Sequence, residues 1–134
     1  MDRVFLDANV LYSAAWRPTL TGLRLLWTLD GVTLMSSSYA VDEAARNIRE
    51  PFHRARLSQL VQAVTVVDED NRKRLPASIQ LPAKDRPILL AAISHRATHL
   101  LTGDRTHFGR YFDQIVEGVL ICLPATYIER RRPR

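Results

Sequence analysis

Three aspartates lie at positions where an α/β protein would place the chemistry of an active site. Asp7 directly follows the apolar residues 4–6, Asp104 follows the strand-like residues 100–103, and Asp85 opens an amphipathic segment. Active sites of α/β sheets lie at or beyond the carboxyl ends of parallel strands, so these side chains are candidates for one shared site. Each also has a purely structural interpretation: Asp7 and Asp85 are suited to cap helices, and Asp104 after Gly103 is suited to a turn.

A fourth acid is expected on the helix that follows the serines at positions 36–38. Apolar residues at 41, 44, 45 and 48 have the i, i+3, i+4, i+7 spacing of a buried helix face, and the serines supply N-caps. Glu43 lies well away from that face and Asp42 lies closer to it. Periodicity therefore does not choose between Asp42 and Glu43, and a solvated helix acid is the default interpretation for either.

Carboxylates that converge without cysteines or a set of histidines form a site of hard oxygen ligands. Such a site suits Mg²⁺ or Mn²⁺ and is poorly suited to zinc. Close like charges repel unless a cation lies between them, so a cluster of these acids implies the metal. His95 and His99 have i, i+4 spacing, but Arg96 stands where a metalloprotease helix needs glutamate. These histidines are therefore expected at the surface or at a helix end.

The elements that must position these acids alternate between short apolar runs and longer amphipathic runs along the whole chain. This alternation is typical of an α/β domain with a parallel sheet. Residues 68–84, which include Pro76 and Pro82, are expected to form a loop that can hold a short helix. The predicted strands are residues 4–6, 32–35, 64–67, 98–102 and 119–123, and the predicted helices are residues 9–16, 20–29, 38–50, 52–63 and 85–97.

Composition and charge fit one cytoplasmic domain. The chain has 134 residues, of which 46% are hydrophobic and 25% charged, and its only cysteine, Cys122, lies in an apolar, strand-like run. This usage argues against disordered, fibrous and membrane-spanning proteins, and the first residues lack the apolar core of a secretory signal. The net charge is +5, but residues 129–134 hold four arginines and one glutamate. We therefore expect a domain over residues 1–128 and a basic tail over residues 129–134, either solvated or in contact with nucleic acid or a partner.

Four segments, taken in chain order, resemble the PIN-domain nucleases. They are Phe-Leu-Asp-Ala-Asn-Val-Leu at 5–11, Ser-Tyr-Ala-Val-Asp-Glu at 38–43, Lys-Asp-Arg-Pro-Ile-Leu at 84–89 and Leu-Thr-Gly-Asp at 101–104. The resemblance covers nearly the whole chain and implies a three-layer α/β/α fold with a central, mainly parallel sheet of about five strands. The family includes the VapC-type toxins of bacterial type II toxin–antitoxin pairs, which cut RNA with Mg²⁺ or Mn²⁺.

The resemblance assigns roles to individual residues. It favours Glu43 over Asp42, gives Thr102 a polar position beside the site, and makes Asn9 a brace for the loop after the first strand. Thr106 stands where many relatives have a second acid two residues after the fourth one, which implies one metal ion bound well and a second bound weakly. The implied catalytic and metal-binding acids are Asp7, Glu43, Asp85 and Asp104.

The implied mechanism is metal-assisted hydrolysis of a phosphodiester in single-stranded or structured RNA. The metal lowers the pKa of a bound water, and the products are a 5′-phosphate and a 3′-hydroxyl. The expected partners are an RNA substrate, an antitoxin protein and, in a homodimer, a second copy of the chain; no membrane partner is expected. Four arginines near the Glu43 helix are interpreted either as RNA backbone contacts or as ordinary solvated side chains: Arg46, Arg49, Arg54 and Arg56.

Two further functions stay open at this stage. One is a PIN-fold RNA-processing ribonuclease without an antitoxin, and the other is a non-catalytic PIN protein that binds RNA or a partner. Four retained acids favour catalysis, because clustered carboxylates are costly to keep. A phospho-receiver domain is disfavoured, because no lysine follows the last predicted strand. Trp16, Leu26 and Trp27 on the first two helices are interpreted either as core or as an anchor for an antitoxin.

Overall fold

A six-stranded sheet forms the centre of the computed structural model, which describes residues 1–16, 22–69 and 73–131. The strands are β1 (Asp2–Leu6), β2 (Val32–Ser37), β3 (Thr65–Val67), β4 (His99–Leu101), β5 (Gln114–Val116) and β6 (Val119–Cys122). Their order is β3-β2-β1-β4-β6-β5, and all pairs are parallel except β5 with β6. The predicted mainly parallel sheet is therefore confirmed, with β5 as a strand that the sequence did not predict.

Helices flank this sheet and connect its strands, which confirms the expected α/β/α architecture. Two short 3₁₀ helices, Leu23–Thr28 and Gly109–Tyr111, lie among the connections. The α-helices of the described residues are α1 (Ala8–Trp16), α2 (Ser38–Arg46), α3 (Pro51–Gln62), α4 (Arg86–Ser94) and α5 (Pro124–Arg131).

Strand β1 lies in the interior of the sheet and explains the first apolar run of the sequence. Val4, Phe5 and Leu6 are completely buried. A parallel strand covered on both faces is expected to be continuously apolar rather than alternating. Burial of such side chains contributes roughly 1.5–3 kcal/mol each, so β1 is a main source of the stability that holds the site in place.

The order of the strands places a crevice between the carboxyl ends of β1 and β4. From β1 the chain continues to β2 and β3, which lie on one side of β1 within the sheet. It then crosses to β4, which lies on the other side of β1. Ligands of open α/β sheets bind at such a switch point. Leu6 pairs in register with Leu101, and the Asp7 amide donates to the Leu101 carbonyl at 3.1 Å, which brings the residues after both strands together.

Several connecting elements differ from their predictions. The helix predicted at 20–29 is a 3₁₀ helix over Leu23–Thr28, and its residues 20–21 lie outside the described residues. Gly22 precedes it with a φ of 68°, which breaks helical continuity and leaves a short segment that closes with i to i+3 hydrogen bonds. The serine cap is confirmed, because the Ser37 side chain accepts a hydrogen bond from the Ala40 amide. Pro51 lies in the first turn of α3, which is separated from α2 by residues 47–50.

The basic C-terminal residues continue a helix that packs on the domain. Helix α5 crosses the boundary expected after residue 128, and its residues Tyr127 and Ile128 are buried. The Tyr127 hydroxyl donates to Asp2 at 2.6 Å, and Arg131 lies 3.5 Å from the same carboxylate. Residues 129–131 therefore belong to the folded unit, while residues 132–134 lie outside the described residues.

Two simpler expectations concern the membrane and the cysteine. Among the described residues, the structure has no helix with the length and apolar character needed to cross a bilayer. Cys122 is buried in β6, as its apolar setting predicts, and burial raises the pKa of its thiol to about 11. A thiol in this state is a poor nucleophile.

Candidate active site

Four acidic side chains from four different elements line one cleft of about 580 Å³ at the switch point. Glu43 reaches the cleft from α2, whereas its neighbour Asp42 is exposed and does not line it. Glu43, rather than Asp42, is therefore the α2 acid that lines the cleft, a choice that periodicity left open. The four acids are those named from the sequence: Asp7 after β1, Glu43 on α2, Asp85 before α4 and Asp104 after β4.

Asp7 is a buried carboxylate with a fixed orientation. Its Oδ1 accepts a hydrogen bond from the Ala8 amide at 2.7 Å, and its Oδ2 accepts from Thr102 Oγ1 at 2.8 Å and from Asn9 Nδ2 at 3.1 Å. Only 4% of the residue is exposed. Burial, with smaller contributions from the charges of Asp85 and Glu43, raises the pKa of Asp7 to about 6 despite the hydrogen bonds from Thr102 and Ala8.

Asn9 and Thr102 join the loops that follow β1 and β4. Asn9 Nδ2 also donates to Thr102 Oγ1 at 3.1 Å, and Asn9 Oδ1 accepts from the Gly103 amide at 2.8 Å. The Asp104 amide donates to Thr102 Oγ1 at 3.1 Å. The supporting positions expected for Asn9 and Thr102 therefore correspond to a network that links the backbone of one acid to the carboxylate of another.

Asp85 occupies the N-cap position of α4, but its side chain makes no capping hydrogen bond. The residue is only 7% exposed, and its Oδ2 has no hydrogen-bond partner among the described residues. The Tyr39 hydroxyl donates to the carbonyl of Lys84 at 2.7 Å and fixes the backbone just before it. Burial raises the pKa of Asp85. A buried carboxylate that does not cap its helix needs another partner, and the imidazole of His107 lies 3.0 Å from Asp85 Oδ2.

His107 contacts two of the acids that line the cleft, Asp104 and Asp85, and the sequence did not predict these contacts. Its Nδ1 lies 2.8 Å from Asp104 Oδ2, with which it shares a hydrogen bond, and 3.0 Å from Asp85 Oδ2. Its amide also donates to Asp104 Oδ1 at 3.0 Å. Although burial alone would raise the pKa of Asp104, the hydrogen bonds from His107 lower it. The structure therefore brings an imidazole nitrogen next to the carboxylate oxygens that the sequence predicted for the site.

The donor set of the cleft fits a divalent cation. One ligand atom each from Asp85, Asp104 and His107 lie within 4.8 Å of one another. Asp85 Oδ2, which makes no hydrogen bond with the described residues, supplies a buried acceptor beside His107, and Asp7 adds a carboxylate whose charge is disfavoured by burial. A set of carboxylate oxygens with one imidazole suits Mn²⁺ or Mg²⁺ better than it suits metal ions that prefer thiolate ligands.

Comparison with known families decides the classification of the fold. A family model described as PIN domain matches residues 3–106, which include most of β1, all of β4 and all four acids. The chain belongs to the PIN domain family. The resemblance drawn from the four sequence segments is thus confirmed. No curated protein matches the sequence.

Solved structures share the fold at low sequence identity. VapBC2 from Rickettsia felis, bound to a promoter DNA fragment, is 15% identical with a TM-score of 0.68, over 89% of this chain and 96% of that chain. VapC20 from Mycobacterium tuberculosis, described as a sarcin-ricin loop cleaving toxin, is 13% identical with a TM-score of 0.60, over 84% and 98%. VapBC-1 from nontypeable Haemophilus influenzae is 17% identical with a TM-score of 0.56, over 92% and 98%. At these identities the likeness concerns the fold of the PIN domain.

Other polar residues line the cleft of this PIN domain and were not singled out in the sequence. Lys84 is exposed beside Asp85, and its charge lowers the pKa of that carboxyl against the larger effect of burial. Tyr12 and Ser13 come from the second turn of α1, and Asn47 lies four residues after Glu43. Adjacency to an acid and helical spacing are the signals that could have identified them.

The four arginines named as RNA contacts lie outside the cleft that the described residues form. Arg54 Nε donates to the Ile48 carbonyl at 2.6 Å, and Arg56 Nη1 donates to the Ala15 carbonyl at 3.3 Å. Those two side chains therefore have structural contacts within the PIN domain. Arg46 and Arg49 are exposed around the end of α2.

The three large apolar residues of the first two helical segments have different surroundings. Leu26 is in the core, and Trp27 is half-buried with its Nε1 donating to the Leu60 carbonyl at 2.9 Å. Trp16 is exposed over 39% of its surface and stacks on His53 with the ring centroids 4.1 Å apart. The core interpretation thus holds for Leu26 but does not account for the exposed face of Trp16.

Proposed function

We propose that this PIN domain is an endoribonuclease that uses Mg²⁺ or Mn²⁺ to cut single-stranded or structured RNA. The observation that carries the proposal is the convergence of Asp7, Glu43, Asp85 and Asp104 in one cleft at the switch point of the sheet. Burying the charged carboxylates of Asp7 and Asp85 costs free energy unless a positive charge lies nearby, and their raised pKa values reflect this cost. A bound divalent cation would compensate it.

The chain's own residues would divide the work of the reaction. Asp7, Asp85 and Asp104 would hold the cation, with Glu43 facing them from α2. Once bound, the cation would supply Lewis acidity that lowers the pKa of a water and offsets charge on the phosphodiester. The hydrogen bonds from Thr102 and Asn9 would keep the Asp7 carboxylate in one orientation, so that little reorganisation accompanies the reaction.

Substrate binding would use cations at the rim of the cleft. Lys84 is exposed among the lining residues, where its ammonium can pair with a phosphate next to the scissile one. Arg46 and Arg49 are exposed near the end of α2, and we assign them outer contacts with the RNA backbone. Arg54 and Arg56 are weaker candidates, because their guanidinium groups already contact backbone carbonyls.

We further propose that the protein is the toxin of a type II toxin–antitoxin pair and that an antitoxin protein binds it. The support comes from its structural neighbours, which include VapBC complexes and a toxin described as cleaving the sarcin-ricin loop. A PIN-domain ribonuclease without an antitoxin is the alternative. The retained acid cluster gives less support to a non-catalytic PIN protein.

RNA cleavage by the purified chain tests the enzymatic proposal. The chain is treated with EDTA, supplied with MgCl₂ or MnCl₂, and incubated with a single-stranded RNA oligonucleotide. Cleavage is expected only with added metal, and the products should carry a 5′-phosphate and a 3′-hydroxyl. Persistence of cleavage in excess EDTA would contradict the metal mechanism.

Two neighbouring substitutions on α2 form a matched pair for the same assay. Glu43→Gln is expected to lower the cleavage rate by about 100-fold or more, since it removes an acid from the cleft. Asp42→Asn removes the same charge from an exposed position and is expected to leave the rate nearly unchanged. Equal rates for the two variants would show that Glu43 has no part in the reaction.

A further inference from the structure

We propose that His107 is a metal ligand of this site and that its imidazole shifts the preference of the site from Mg²⁺ toward Mn²⁺. The inference rests on the proposed metal-dependent function and adds a nitrogen ligand to the carboxylates. It starts from the three residues whose ligand atoms lie within 4.8 Å of one another: Asp85, Asp104 and His107.

The distances around His107 Nδ1 match those between neighbouring ligands of one ion. Nδ1 lies 2.8 Å from Asp104 Oδ2 and 3.0 Å from Asp85 Oδ2. In octahedral coordination with bonds of about 2.1 Å, adjacent ligand atoms are about 3 Å apart. A cation can therefore bind between these three atoms in place of the proton that Nδ1 shares with Asp104.

The burial of Asp85 also points to a ligand at this place. Asp85 is more than nine-tenths buried, and its Oδ2 makes no hydrogen bond with the described residues even though it lies 3.0 Å from His107. Buried acceptors are almost always paired with a protein group, water or an ion. Lys84 is exposed and does not satisfy this oxygen. Asp85 Oδ2 therefore makes no hydrogen bond within the described part of the chain and lies next to the same nitrogen that Asp104 Oδ2 contacts.

The local backbone holds His107 in this position. Its amide donates to Asp104 Oδ1 at 3.0 Å, and the next residue, Phe108, is completely buried. The preceding residue, Thr106, is exposed, whereas His107 Nδ1 lies within 3.0 Å of a carboxylate oxygen of both Asp85 and Asp104. The turn after β4 therefore presents an imidazole, rather than a second carboxylate, next to Asp104.

The type of ligand determines which ion the site favours. Mg²⁺ prefers oxygen ligands and keeps several waters, whereas first-row transition ions accept an imidazole nitrogen readily. One nitrogen among carboxylates therefore strengthens Mn²⁺ binding more than Mg²⁺ binding. Loss of the nitrogen should remove this difference while leaving the carboxylates in place.

Pulsed electron paramagnetic resonance on the Mn²⁺-loaded wild-type chain tests the ligand directly. Coupling between the bound Mn²⁺ and nitrogen-14 is expected in the wild type and in His95→Gln, and it should be lost in His107→Gln. His95 is the matched control because it lies at the other end of α4, where its Nε2 is 3.0 Å from the Asp68 carbonyl. Circular dichroism and melting temperatures establish that both variants are folded.

Calorimetric titration of the metal-free proteins with MnCl₂ and MgCl₂ tests the preference. His107→Gln should weaken Mn²⁺ binding by about 10-fold or more and Mg²⁺ binding much less. Mn²⁺ that binds to the wild type without nitrogen coupling would overturn the role of His107 and leave the metal-dependent function standing. Absence of any Mn²⁺ or Mg²⁺ binding would overturn both proposals. Equal losses for the two ions would overturn the preference.

Discussion

Asp7 is held in a position where its charged form is costly in the absence of a cation. The residue is buried, and burial raises the pKa of its carboxyl from 3.8 to about 6. This difference corresponds to roughly 3 kcal/mol of folding free energy at neutral pH. The carboxylate thus opposes folding of the metal-free chain, and a bound cation would reverse the sign of its contribution.

Asp7→Asn is expected to raise the free energy of unfolding of the metal-free chain at pH 7.5 relative to the wild type. The native state holds its proton up to about pH 6, whereas the unfolded state loses it near pH 3.8. The penalty is therefore fully present above pH 6 and disappears below pH 3.8, so the advantage of the variant should fall by up to roughly 3 kcal/mol between pH 7.5 and pH 4.

Urea unfolding in EDTA at a series of pH values measures this difference. Subtracting the wild-type value from the variant value at each pH removes the effect of the other titrating groups. A difference that stays constant from pH 7.5 to pH 4 would mean that Asp7 has a normal pKa in the folded protein.

Thr102 connects two of the acids through one hydroxyl group. It donates to Asp7 Oδ2 and accepts from the Asp104 amide, and the residue is completely buried. Thr102→Val keeps the shape but removes the hydroxyl, so we expect a loss of about 1–3 kcal/mol in the free energy of unfolding and slower RNA cleavage. Thr102→Ser restores the hydroxyl and should recover most of the activity. Unfolding and cleavage are measured for both variants. Equal stabilities and equal cleavage rates for Thr102→Val and Thr102→Ser would contradict this role.

At the scale of the elements, the sequence was most informative where local pattern and tertiary burial agree. The run Val4, Phe5 and Leu6 predicts a buried strand, and the completely buried β1 confirms it. The serines before α2 predict a cap, and Ser37 makes it. Asp7 and Asp104 follow adjacent parallel strands, so their proximity follows from strand position alone.

Elements that depend on tertiary contacts escaped prediction. Strand β5 has three residues, of which only Val116 is buried, and it is joined to β6 by Glu117 and Gly118, both with positive φ. Such a short strand carries no readable alternation. His107 is three residues from Asp104, but its approach to Asp85 depends on how the turn after β4 packs against the start of α4. Spacing along the chain does not encode that contact.

Helix α5 is an element that the sequence did not predict. Its arginines indicated only a basic tail after residue 128, whereas the helix runs to Arg131 and its Tyr127 is buried and donates to Asp2 in β1. Tyr127→Ala is therefore expected to cost about 3–5 kcal/mol in the free energy of unfolding, as for other buried aromatic residues. Arg130→Ala removes an exposed ion pair with Asp113 and should cost less than about 1 kcal/mol.

Urea denaturation of the two α5 variants measures these costs, with the wild type as reference. A small effect of Tyr127→Ala, similar to that of Arg130→Ala, would indicate that α5 does not contribute to the stability of the sheet. The expected outcome instead makes α5 part of the folded unit, with the arginines as secondary contacts.

For the whole molecule, the net charge of +5 and the acidic cleft have opposite effects on RNA. The overall charge attracts a polyanion from a distance. The four carboxylates repel its phosphates at short range until a cation binds among them. An antitoxin could exploit the same arrangement, because an arginine or lysine placed in the cleft would pair with the carboxylates in place of metal and phosphate.

Expression in a bacterial host tests the toxin proposal at the level of the whole protein. If the protein is a toxin, the wild-type chain should arrest growth, because unrestrained RNA cleavage depletes essential RNA. Asp7→Asn, expressed at the same level by immunoblot, should allow normal growth, and co-expression of the gene adjacent to the wild-type gene should also restore growth. Growth arrest by both the wild type and Asp7→Asn would indicate that overexpression, rather than the acid cleft, causes the arrest. Normal growth with the wild-type chain alone, in a strain whose extracts show metal-dependent RNA cleavage, would instead favour a ribonuclease that works without an antitoxin.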